Sequence, residues 1–398
     1  MNEKSVKKLK KIIPVSFIVL FAAFLVIPNT GLYRGEKNAR LIAQTENRRI
    51  TPRPTQSLKS KEFYTQFEKW YQDRLRYRDK AIKRWSELNI KIGVIVHPNI
   101  FYTNGGWLFH KDMIIKDFAE ADKKIQDIRK LQDYCQNRSK YFLLFIPPSK
   151  ESFYRELFPT ELRKQYKDPS YWHRQGELLF KGEKINYLCV DKELKKEQYK
   201  RPYPLYLLGD SHWNHYGAAI ATNLLLKNVF SKSQQYAPYS GLLLDGSKKS
   251  VQYGYDYFAM LGINKIENSY MPWSQYYKNI FEIDCYSNKK TEANNILTVS
   301  HLMEAITKGE LIYVNNKAPN NFKILILGDS YSTFMLPYIT QFANMTVITH
   351  YNACVERKQK VDINYLLNKY QPDYVILEIV DRVFYPNTDD FLFNKLIY

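Results

Sequence analysis

FKILILGDSYSTFML, residues 322–336, passes from an apolar run through Gly-Asp-Ser into a second apolar stretch. The first run is unbroken in hydrophobicity and rich in Ile and Leu, which suits a parallel strand buried on both faces. The residues that follow, TFMLPYITQF (333–342), read as a helix. Glycine lets the chain turn sharply between the two. Asp329 and Ser330 are then thrown into the crevice beyond the strand's carboxyl end, where open α/β sheets collect ligands. A near copy lies upstream: YPLYLLGDSHWN, 203–214, carries Asp210, Ser211 and His212 after another apolar run. Both corners are expected at strand ends, facing one site.

Working outward, similar runs occur at 141–148 (YFLLFIPP), 185–191 (INYLCVD), 345–351 (MTVITHY) and 373–381 (DYVILEIVD). Helix-like pieces separate them, GAAIATNLLLKNVF (217–230) and INYLLNKY (363–370) among them. This alternation predicts an α/β fold with a doubly wound parallel sheet. Residues 235–320 break the rhythm and read as an insertion over the sheet. Phe63, Phe67, Trp70 and Tyr71 form one apolar stripe of a helix, and the glycines of NGGWLFHKD (104–112) mark a turn entering a short strand.

A serine nucleophile needs a base within hydrogen-bond reach, a carboxylate that orients the base, and N–H donors for the oxyanion. The first corner offers Asp210 and His212. The second offers Ser330 at a helix start, with backbone N–H groups as donors. Other readings of the same residues stand beside this one. Asp-Ser is also an ordinary helix N-cap. Ser211 is a rival nucleophile, although its place between Asp and His suits a turn. His212 and His215 form a His-x-x-His pair that would bind zinc if a third ligand came from elsewhere.

Lys and Arg outnumber Asp and Glu by 59 to 40, a net charge of +19. The excess favours polyanionic neighbours such as anionic lipid or an acidic polysaccharide, or else reflects a Lys-rich proteome. The basic residues are scattered and carry no nucleic-acid motif, so no nucleic-acid partner is expected. Cys135, Cys189, Cys285 and Cys354 are widely spaced, without a C-x-x-C pair, and disulfides remain open if the chain is exported. At the N-terminus, a basic tail (1–11) precedes the uncharged apolar run 12–28. That run is of the shortest length for a membrane span and longer than a usual signal-peptide core. An uncleaved transmembrane signal anchor is expected, followed by a polar linker (29–60) and a catalytic domain (61–398) outside the membrane.

At GDSHWNHYGAA (209–219) and GDSYS (328–332) the sequence resembles the SGNH-hydrolase-like proteins of the AlgJ/AlgX group and the related DHHW proteins. Ordinary SGNH esterases place Ser early and Asp-x-x-His late. Here the order is reversed, as in a circular permutation, and the Asp–His spacing is one residue shorter. ENRRITPRP (46–54), FEKWYQDRLRYRD (67–79), FIPPSKESFYRELFP (145–159), YDYFAMLG (255–262) and QPDYVILEIVDR (371–382) fit the same group. Leu377 stands where alginate members often have Trp.

The resemblance implies acyl transfer outside the membrane. Ser330 takes an acetyl group, His212 acts as base and then acid, and Asp210 holds the imidazole. A polysaccharide hydroxyl receives the acetyl, which a membrane-embedded acyltransferase supplies. Trp213 and Arg382 are candidate substrate-binding residues, with carboxylate pairing the alternative for Arg382. No cofactor or metal is expected. Two other functions fit the same residues: a carbohydrate esterase with the same triad, and a non-catalytic polysaccharide-binding or scaffold subunit.

Overall fold

The structure, a computed structural model, describes residues 16, 18, 19, 35, 39, 50–57, 59–75, 77–92, 97–103, 105–116, 121–200, 203–231, 246–253, 256–263, 267–273, 280–283, 290–292, 310–350, 360–385 and 396–397. The expected membrane span at 12–28, the tail before it, most of the linker, Cys285 and Cys354 lie outside the described residues. Among the described residues no helix is long and apolar enough to cross a membrane. Cys135 and Cys189 carry free thiols.

The described chain falls into two compact units. The first holds the residues up to Pro98 together with a return of the chain at 256–263. Among its described helices are α1 (Lys61–Gln72) and α2 (Arg78–Lys91). Ser60 caps α1 by accepting the Phe63 N–H, and Tyr71 is buried while Phe67 and Trp70 pack beside it at half-exposed positions.

The second unit carries the sheet. Its first elements are the hairpin β1 (Ile100–Thr103) and β2 (Trp107–His110), then α3 (Ala121–Gln136), β3 (Tyr141–Ile146), α4 (Pro169–Gly182), β4 (Tyr187–Cys189), α5 (Asp191–Tyr199) and α6 (His215–Ser231). The strands β5 (Gly246–Tyr253), β6 (Glu267–Trp273), β7 (Ile280–Ile283), β8 (Lys290–Glu292) and β9 (Leu311–Asn315) follow. The last elements are β10 (Lys323–Gly328), α7 (Ser330–Ile339), β11 (Met345–His350), α8 (Ile363–Tyr370) and β12 (Tyr374–Glu378).

Eight strands form one sheet in the order β4-β3-β12-β10-β11-β9-β7-β8. The first five are parallel, as their unbroken apolar runs require: every residue of β12 is buried, as are all but the first of β3 and β10. One face, with Phe142, Leu144, Leu325, Leu327, Val375 and Leu377, packs on Ile128 and Leu131 of α3 and on Leu366 and Leu367 of α8. Residues of the other parity, such as Leu143, Phe145, Ile324 and Ile326, are equally buried, and α7 packs on β10 and β11.

Two expectations change. The sheet is mixed, because β9, β7 and β8 run antiparallel beyond β11. The insertion therefore extends the sheet edge where it was expected to lie over it. Antiparallel strands need no crossover helix, so a Tyr-, Asn- and Ser-rich segment can add them by short turns. The second change concerns YPLYLLGD (203–210), which is a loop and not a sheet strand. It doubles back on itself through the single bridge Tyr206–Trp213, with Leu207 N bonded to His212 O and Asn214 N to Leu205 O. Its apolar residues Leu205, Tyr206 and Leu207 are buried all the same. That burial is why their pattern imitates a strand.

Candidate active site

The serine corner forms where β10 ends. Asp329 is the N-cap of α7: its Oδ1 accepts the Tyr331 N–H at 2.8 Å and its Oδ2 accepts the Val380 N–H at 3.1 Å. Ser332 Oγ donates to Asp329 O at 2.6 Å. Ser330 is thus the first residue of a capped helix, at the carboxyl edge of a central strand. Gly328 is required here by packing. A Cβ at that position would press into Ser332 Oγ and come within 2.9 Å of Glu378 Oε2.

The Asp-x-His corner is held from beneath by Lys150. This buried ammonium follows β3 and donates to the carbonyls of Leu208 at 2.6 Å and Asp210 at 2.9 Å. Leu208 O also accepts the N–H of Leu108 in β2 at 3.0 Å. Within the turn, Asp210 Oδ1 accepts the His212 backbone N–H at 2.9 Å and lies 2.6 Å from His212 Nδ1. At the far side of the ring, Nε2 lies 2.6 Å from Ser330 Oγ. With the Nδ1 proton directed at Asp210, Nε2 is the acceptor for the serine hydroxyl. Asp210 and Ser211 are buried and His212 is half-buried.

Three contacts bind the corners to each other. Tyr331 OH donates to Ser211 O at 2.6 Å. Trp213 Nε1 donates to Tyr331 O at 3.2 Å. Phe334, one turn along α7 from Ser330, stacks on His212 with ring centroids 5.5 Å apart and 20° between planes. Both ring planes and both hydrogen bonds fix the imidazole's orientation.

Asp210, His212 and Ser330 are therefore brought together across 118 positions of sequence. Trp213 is a correction: it is fully buried, packed 4.9 Å from the Tyr331 ring, so it braces the corners and presents no face to a sugar. Arg382, in the helical turn Asp381–Phe384 after β12, donates to Tyr331 OH at 3.1 Å and lies over the Tyr331 ring, so it reaches the edge of the site through that residue. Ser211 is a turn residue whose Oγ lies 3.4 Å from His212 Nδ1, on the Asp210 side of the ring. His215 opens α6 and packs against Phe334 and Tyr338, and burial pulls its pKa down to about 3.

Lys150, Tyr331 and Phe334 escaped the sequence reading, and Glu378 entered it only as a carboxylate near Arg382. A faint signal existed for two of them, since Tyr331 and Phe334 sit at i+1 and i+4 from Ser330 on one helix. A second charged cluster also went unseen. His173 of α4 lies 3.2 Å from Asp191 and 3.1 Å from Asp381, whose other oxygen accepts the Ser149 N–H at 2.8 Å. Burial alone would lower the His173 pKa, but the two aspartates outweigh it and hold the pKa at about 10.

An α/β sheet with a helix-capped serine at a strand end and an imidazole fixed between that serine and an aspartate fits an SGNH-hydrolase-like fold. The comparisons agree. The family described as "SGNH hydrolase-like domain, acetyltransferase AlgX" matches residues 101–285. The chain is 26% identical over 155 residues to the "Probable alginate O-acetylase AlgJ" of Pseudomonas putida, covering 37% of this chain and 38% of that protein. The chain thus spans well under half the length of this curated relative. Among solved structures, Bacillus cereus PatB1 with a sulfonyl adduct aligns with a TM-score of 0.54 at 15% identity, covering 75% of this chain and all of PatB1. A DHHW family protein from Eubacterium siraeum aligns at 0.53 and 11% identity, over 75% of this chain and 95% of its own. At such identities the two structures speak for the fold alone. Family, relative and fold taken together, the chain is AlgJ/AlgX-like.

Proposed function

We propose that this chain is a membrane-anchored O-acetyltransferase acting outside the cytoplasm on an exported or cell-surface polysaccharide. The observation that carries the reading is the unbroken relay from Asp210 through His212 to Ser330, with 2.6 Å at each step. Kinship to AlgJ and AlgX supplies the reaction class, and the basic tail and apolar run at 1–28 support the anchor.

The chemistry follows from the geometry. Ser330 Oγ attacks the carbonyl carbon of an acetyl donor while its proton passes to His212 Nε2. The tetrahedral oxyanion is met by the Ser330 backbone N–H at the start of α7, where the helix dipole favours negative charge. Asp210 stabilises the imidazolium and keeps Nδ1 protonated. The intermediate collapses, the donor leaves with the proton from Nε2, and acetyl-Ser330 remains. A sugar hydroxyl then gives its proton to Nε2 and attacks the ester. Collapse returns the proton to Ser330 Oγ and releases the acetylated glycan. The acetyl donor is expected to come from a membrane-embedded acyltransferase.

Turnover of p-nitrophenyl acetate by the wild type, lost in Ser330→Ala with an unchanged circular dichroism spectrum, tests the nucleophile. Incubation with an acetyl donor and candidate glycans tests the acceptor. Acetylated glycan supports transfer. Free acetate alone would make the chain a carbohydrate esterase, because water enters by the same route. Glycan binding with no ester turnover would make it a scaffold subunit.

A further inference from the structure

Glu378 is the last residue of β12 and is completely buried directly beneath the nucleophile turn. Its Oε2 accepts the backbone N–H of Asp329, the cap residue of α7, at 2.9 Å. Oε1 has no hydrogen-bond donor among the described residues. Two carboxyls so close and so dry cannot both be charged. The Asp329 carboxyl is itself held by two N–H donors, from Tyr331 and Val380. The titratable and charged groups on the elements packed around Glu378 are Asp329 and Tyr331 at the head of α7, His350 at the end of β11, and Asp381 and Arg382 after β12. Tyr331 and Arg382 bond each other, and Asp381 is paired with His173.

We propose that Glu378 is a positioning residue that works as a neutral acid, sharing one proton with Asp329 and thereby clamping the β10–α7 turn that presents Ser330. The clamp joins the ends of two adjacent parallel strands to the helix cap. Ionising Glu378 would set two anions against each other under the nucleophile and spread the turn. Burial and the Asp329 charge both push its pKa well above the ordinary 4.5. The sign for stability is then fixed. A carboxyl whose pKa is raised by folding costs the folded state progressively as pH climbs above the unfolded value. Glutamine, neutral at every pH and able to donate to Asp329, escapes that cost.

The inference rests on the proposed catalysis only in its kinetic arm. An infrared difference spectrum, wild type minus Glu378→Gln at neutral pH, should show the carbonyl band of a protonated carboxylic acid. The melting temperature of Glu378→Gln should rise relative to wild type as pH increases from acid to alkaline. With p-nitrophenyl acetate, Glu378→Ala should lose roughly 10- to 100-fold in kcat with KM little changed, the cost of a misplaced nucleophile. Glu378→Gln should keep most of kcat and lack the alkaline decline of the wild type. Absence of the infrared band, or a Gln variant as impaired as Ala, overturns the proposal. If the wild type turns over no ester, the catalytic reading fails, and the spectrum and melting curves still decide the role of Glu378. If the Ala variant does not fold, those two arms and the Gln kinetics remain.

Discussion

Ser330 is inert without His212, because a serine hydroxyl holds its proton far too tightly to attack an ester at neutral pH. The imidazole is useful only in one orientation, and three neighbours fix it: Asp210 on Nδ1 and on the backbone N–H, Ser330 on Nε2, Phe334 on the ring face. Asp210→Asn should therefore lower kcat by roughly 10⁴-fold with the fold intact, since the amide favours the wrong tautomer. Steady-state ester kinetics beside a melting curve check both halves. Tyr331 makes a different case. Its hydroxyl accepts from Arg382 and donates to Ser211 O, so Tyr331→Phe leaves a buried carbonyl without its donor. A loss of about 1–3 kcal/mol is expected, read from urea unfolding. His215 shows how composition misleads at this scale. A His-x-x-His pair suggests a metal, yet the second ring lies among aromatic side chains at the start of α6.

At the scale of elements, the site is a junction of loops following three parallel strands. Lys150 after β3 holds the Asp-x-His turn, Ser330 after β10 meets that turn, and Asp381 and Arg382 after β12 tie both to α4. Replacing Asp381 by Ala would leave the His173 cation with Asp191 alone and the Ser149 N–H unpaired. Breaking such a pair costs roughly 3–5 kcal/mol, and thermal unfolding should show it. The same cluster sets a pH dependence. His173 has a folded-state pKa raised from 6.5 to about 10. Its contribution is therefore complete below pH 6.5 and is lost as pH rises toward and through 10. Wild type should lose stability over that window, and His173→Gln should show a flatter curve. Burial of His215 acts in the opposite direction: stability present above pH 6.5 falls away as pH drops toward 3.

For the whole molecule, the net charge of +19 predicts a salt-sensitive association with polyanions. Binding to an acidic glycan should weaken steeply as ionic strength rises, while binding to a neutral one should not. Affinity measured across a salt series distinguishes a working surface from a compositional bias. The expected anchor at 12–28 belongs to this scale too, and fractionation of the full chain against one beginning after residue 28 tests it.

What the amino-acid order determined by itself is the set of buried parallel strands and the choice of candidate reacting groups. Continuous apolar runs are comfortable between two helical layers, and at 322–330 the Gly-Asp-Ser after such a run marks a helix cap at a strand end. Asp210, His212 and Ser330 were legible because their chemistry is narrow and few residue types supply it. What only the tertiary structure decided is everything that depends on distant partners. YPLYLLGD has a strand's pattern but no strand's neighbour, since Lys150 and Leu108 take the carbonyls of its corner. Trp213 reads as a sugar platform until its burial makes it a brace. Lys150 and Glu378 become a tether and a clamp because folding removes water from around them and leaves particular carbonyls and carboxyls as their partners.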